Sequence, residues 1–121
     1  MSQDILAFVY ARMDDIEGPI VDASWAQPSH HGILSRNLEQ KSLVSLLMLA
    51  SAENCPRVMT LSDTTCVLSP HENNLLVLFL EKNAPFDLLN SLWKRVRIIH
   101  GKSNGDSSRM MASLEKLVQT T

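Results

Sequence analysis

Residues 5–24 read "ILAFVYARMDDIEGPIVDAS", and the fold turns on how this stretch divides. Ile5, Ala7 and Val9 fall on one parity and Leu6, Phe8 and Tyr10 on the other, with β-branched and aromatic residues prominent. Ile5 to Met13 therefore reads as a strand covered on both faces. Gly18-Pro19 punctuates the chain, and "IVDASWA", Ile20 to Ala26, resumes as a second strand. The two form a hairpin with "DDIEGP" at its bend.

The bend carries Asp14, Asp15 and Glu17. An EF-hand loop needs oxygen ligands at alternating positions up to a Glu at the twelfth, and "DDIEGPIVDASW" lacks that spacing. A paired-carboxylate active site needs an opposing residue, which the sequence does not name. A solvated β-turn with gatekeeping charges fits these residues, and contact with a partner is the functional alternative.

Downstream, "QPSHHGILSRN" from Gln27 to Asn37 is polar and punctuated by Pro and Gly, as expected of a connecting loop. Asn37 and Gln40 have the spacing of an N-cap pair, so a helix is expected from there to about Glu53. Leu43, Leu46, Leu47 and Ala50 form its apolar stripe, and Val44, Met48 and Leu49 widen it beyond what one sheet face normally covers. The surplus is available to a partner.

After Pro56, "RVMTLSD", "TCVLSP" and "NNLLVLFLE" read as three short strands in a meander, the last apolar on both parities and so expected at the sheet centre. Asn83 is the expected cap of a helix opening with Ala84-Pro85, with Phe86, Leu89, Trp93 and Val96 as its buried stripe. "GKSNGDSS" reads as a linker, and Met110, Leu114 and Leu117 mark a last short helix. The order is β-β-α-β-β-β-α-α. That predicts an α+β fold, a five-stranded antiparallel sheet flanked by helices.

At 121 residues the chain fits a single domain, 1–121. Its composition, 45% hydrophobic and 20% charged with a formal charge of -2, is that of an ordinary globular protein and does not favour nucleic acid as a partner. Cys55 and Cys66 lack CxxC spacing and read as free thiols. The N-terminus has no basic n-region, and the longest apolar run, "LLVLFL", is far short of the about 20 residues that span a bilayer. A cytoplasmic location is expected, with any membrane contact peripheral.

No catalytic constellation is expected. His30, His31, His71 and His100 show no i, i+4 pair within an expected helix, so no metal site is called. Neither a GxxxxGK[ST] loop nor GxSxG occurs, and no cofactor is called. Charge is nevertheless polarised. Lys94, Arg95, Arg97 and Lys102 give +4 within nine residues, while residues 1–22 carry -4. Such polarity orients association, although a solvated helix end explains the basic cluster equally simply. Trp25, beside polar "AQPSHH", is a better contact candidate than Trp93.

The element order and the first hairpin, "ILAFVYARM", "DDIEGP" and "IVDAS", resemble the longin domain. The related roadblock fold also has a five-stranded sheet but normally opens with a helix, whereas here a strand comes first. The resemblance implies interaction and not chemistry: a platform in small-GTPase regulation or membrane traffic, pairing into homo- or heterodimers through a first helix or an edge strand. The sequence ends at Thr121 without the SNARE helix that follows many eukaryotic longins, so a fusion role is not expected. The partner-binding candidates are Asp14, Asp15, Glu17, Trp25, Val44, Met48, Lys94, Arg95 and Arg97. The alternative is a small-ligand sensor of profilin-like or PAS-like architecture, with a pocket lined by Met48, Met59 and Phe79.

Overall fold

The computed structural model describes residues 4–33, 44, 45, 47, 48, 55–61, 64–71, 74–104 and 106–120. Five strands form one antiparallel sheet: β1 (Ile5–Asp14), β2 (Gly18–Ala26), β3 (Val58–Leu61), β4 (Thr64–His71) and β5 (Asn74–Glu81). Their spatial order is β2-β1-β5-β4-β3, so the apolar "NLLVLFLE" strand is the centre, as its composition requires. Two helices follow, α1 (Phe86–Ser103) and α2 (Ser107–Thr120). The expected α+β class and five-stranded antiparallel sheet are both present.

The sheet divides the core in two. On one face Phe8, Tyr10, Val67, Leu76, Leu78 and Leu80 pack under Leu89, Leu92 and Val96 of α1 and Met110, Leu114 and Leu117 of α2. On the other, Ala7, Val9, Cys66, Leu68, Leu75, Val77 and Phe79 pack with Ile33 and Leu47. This is why Ile5–Ala11 and Leu75–Leu80 are apolar on both parities: both of their faces are buried. A shift in pairing between Ile5 and Ala7 carries Ile5 onto the same face as Phe8 and Tyr10, joining it to the α1–α2 core.

The first hairpin forms as the sequence indicates. Asp14 Oδ1 accepts the N–H of Ile16 at 2.8 Å and of Glu17 at 2.9 Å, and these bonds, Glu17 first, hold its carboxyl below the usual carboxylate range. Gly18 closes the bend at φ 84°, a left-handed conformation costly to any residue with a Cβ. Among the described residues beyond its chain neighbours no atom lies within 4 Å of where that Cβ would sit, so the cost of Gly18→Ala is conformational. Urea unfolding should register a loss of about 1–2 kcal/mol; no loss would mean that the bend tolerates another turn type.

Several local expectations are corrected. The segment after β2 is not wholly loop: Pro28–His30 form a 3-10 turn, and residues 31–33 are helical. Val44, Ser45, Leu47 and Met48 are helical, while the rest of the expected 37–53 helix, with its Asn37–Gln40 cap, lies outside the described residues. Helix α1 starts at Phe86, with Pro85 and not Asn83 at the cap position. A proline disfavours helical geometry in the residue before it, so Ala84 cannot begin the helix, and its N–H instead closes a turn onto the Glu81 carbonyl at 3.1 Å.

The buried stripe of α1 is Leu89, Leu92, Val96, His100 and Ser103. Trp93 sits at its margin, and Phe86 is 75% exposed in the first turn, to one side of the stripe's centre. Nor is "GKSNGDSS" a linker. Its first residues complete α1, Asn104 ends that helix at φ 51°, and Asp106 Oδ1 caps α2 by accepting the N–H of Ser108 at 3.0 Å. The polar composition of this stretch reflects two helix ends placed back to back.

Candidate interaction surfaces

The acidic hairpin tip stands clear of the sheet. Asp15, Ile16 and Glu17 are exposed between β1 and β2, and Ile16 is 94% exposed. Asp14 is drawn inward to the turn and to Arg12, whose Nη1 lies 3.4 Å away. Arg12 also donates through Nε to Asp22 at 3.1 Å, where Asp22 is the extra residue of a bulge that breaks the β1–β2 register. Only Asp15 and Glu17 among the three candidate carboxylates therefore point their charge at solvent without serving the turn.

The basic candidates lie along α1. Lys94, Arg95 and Arg97 are exposed, and Arg97 and Arg57 hold their guanidinium carbons 5.4 Å and 4.0 Å from the centre of the Trp93 ring. Between α1 and α2 runs an open groove of about 450 Å³ lined by Arg95, Ile98, Ile99, Ser113, Lys116 and Leu117. Ile98 is 57% exposed there. The sequence reading missed this groove, because Ile98 and Ile99 fall off the stripe that meets the sheet and only the placement of α2 turns them into its wall.

Trp25 is half-buried on β2 and stacks on Phe8, with ring centroids 5.6 Å apart at 23°. It borders a smaller hollow of about 260 Å³ with Glu115, Val118 and Gln119. On the opposite face of the sheet, Leu47 is buried while its neighbour Met48 is 64% exposed and Val44 is half-buried. Phe79 is fully buried, Met59 half-buried and Met48 largely in solvent, so the three residues named for a ligand pocket are in quite different surroundings. The candidate residues thus fall on four separate surfaces: hairpin tip, the Trp25 hollow between β2 and α2, α1 flank and the helical segment around Met48.

A buried polar group at the end of α1 was also not anticipated. His100 Nδ1 lies 3.0 Å from Ser69 Oγ, and among the described residues no hydrogen-bond partner reaches Nε2. The Tyr10 ring stands 5.6 Å away and that of His71 5.4 Å away, both edge-on. Burial, reinforced by the neighbouring charges of His71 and Arg97, pushes the His100 pKa down to about 4. The Ser–His contact is sealed from solvent, unlike a nucleophile and base that must meet a substrate.

Cys66 is likewise buried, with its thiol pushed up to about 12 by desolvation, so it is unreactive. Cys55 is half-buried, and burial raises its thiol too. Among the described residues, no three His, Cys, Asp or Glu side chains converge as a metal site requires. No described helix is long and apolar enough to cross a membrane.

Fold and surfaces together define an α+β protein with a single antiparallel sheet and apolar residues left on its outer helical layers. No family model, curated protein or solved structure matches the chain.

Proposed function

We propose that the chain is a non-enzymatic interaction module that dimerises and serves as a platform for small-GTPase regulation or membrane-traffic assembly, in the manner that its resemblance to longin and roadblock domains implies. The observation that carries the reading is Met48. A helical segment buries Leu47 against the sheet and turns a large apolar side chain, 64% exposed, to the outside. A partner surface that covers Met48 together with half-buried Val44, four residues back on the same helical face, accounts for that arrangement.

Two further features support it. Among the described residues β2 and β3 each pair on one side only, which leaves two strand edges for a partner chain. The shared element order adds an argument by analogy of fold, which bears on function only indirectly.

Light scattering during gel filtration, over a concentration series, tests the proposal. The wild-type chain is expected to run as a dimer at high concentration, and Met48→Asp to shift it to monomer without loss of helix signal. Met48 is the cleaner choice, since Val44 is half-buried. A wild-type monomer at every concentration would remove self-pairing from the proposal.

A further inference from the structure

The hairpin tip and the α1–α2 groove each set an apolar centre between charged residues, of opposite sign in the two. The tip presents one branched apolar side chain, Ile16, between two carboxylates, Asp15 and Glu17. It is ordered in advance by the two hydrogen bonds to Asp14 and by the left-handed Gly18, so docking it loses little conformational freedom. The groove presents the reverse: an apolar floor of Ile98, Ile99 and Leu117 between Arg95 on one helix and Lys116 on the other. At about 450 Å³ it has room for an isoleucine side chain and the turn behind it.

We propose that the groove receives the hairpin tip of a second copy of this chain, with Ile16 on the Ile98–Leu117 floor and Asp15 and Glu17 facing Arg95 and Lys116. The same polarity holds at larger scale, with -4 over residues 1–22 against +4 over residues 94–102. Tip and groove are different patches present on every copy, so the contact is heterologous. It joins copies head to tail, in a ring if the rotation closes and in an open chain if it does not. It goes beyond the pairing through Met48 and uses none of the same residues.

Sedimentation velocity at low ionic strength tests it in the Met48→Asp chain, where pairing through the helical segment does not contribute. Ile16→Asp and Ile98→Asp are each expected to weaken self-association at least about tenfold, because each places a charge where an apolar anchor docks. Both positions are exposed, so both variants should fold, which circular dichroism confirms.

Mixing the two variants is decisive. Ile16→Asp retains an intact groove and Ile98→Asp an intact tip, so together they form one contact and stop at a one-to-one pair. Raising the salt should weaken that pair. Unchanged self-association in the single variants, absence of the mixed pair, or a parent that stays monomeric at all concentrations would each overturn the proposal. In the last case the groove is left to a partner other than this chain.

Discussion

Phe8→Ala is expected to lower the free energy of unfolding by about 3–5 kcal/mol, the usual cost of truncating a buried aromatic ring. Against a total of about 5–15 kcal/mol for a domain of this kind, that is a large share of the whole. The effect is large because Phe8 joins three elements. Its strand pairs it with Leu78 of the central β5, its ring stacks on Trp25 of the edge strand β2, and α2 closes over both. A hollow of about 260 Å³ already borders the ring, so its loss enlarges a void instead of letting neighbours collapse inward. Urea titration at neutral pH reads the change, with Ile16→Ala as the exposed control expected within about 0.5 kcal/mol of wild type. A loss below about 1 kcal/mol for Phe8→Ala would mean that α2 does not seat on β1 and β2 as described.

Acid should destabilise the fold well above the pH at which its carboxylates titrate, through His100. The unfolded imidazole takes its proton near 6.5, whereas burial lowers the folded value to about 4. As pH falls from 6.5 towards 4 the unfolded chain therefore binds a proton that the folded chain refuses, and stability declines across that window. It is fully present above it. Between pH 7.5 and pH 5 the loss amounts to about 2 kcal/mol.

The charged and titratable groups facing His100 are His71 on β4, Tyr10 on β1 and, one turn back on its own helix, Arg97. Both His71 and Arg97 oppose its protonation. Replacing the hydrogen-bonded pair together, Ser69→Ala with His100→Phe, removes the titrating group and leaves no buried polar atom behind at either position. That double variant should be near wild type at pH 7.5 and largely flat down to pH 5. An unaltered pH dependence would place the acid-labile group elsewhere.

The strand framework was legible because alternation and punctuation are local. Apolar residues on both parities of Ile5–Tyr10 and Leu75–Leu80 require cover on two faces, and Gly18-Pro19 marks the end of the bend. Together with the short apolar segments and turn residues after Pro56, those facts placed a five-stranded antiparallel sheet with a central last strand, and the structure has it. Helix ends were less legible. Asn83 and Asp106 are both residues that cap helices, yet only Asp106 does so, because Pro85 decides where α1 can begin.

The candidate surfaces were legible only as inventories of charge and apolar surplus. Local sequence determined the strands, the acidic bend and its glycine, the Met110, Leu114 and Leu117 stripe of α2 and the opposed charges of the two chain regions. Tertiary structure alone decided that Ile98 and Leu117 share a groove and that His100 is buried against Ser69. The physical reason is range: alternation and capping act over a few residues, whereas a groove or a buried polar contact requires segments distant in sequence to be packed side by side, as α1 is against α2 and against β4.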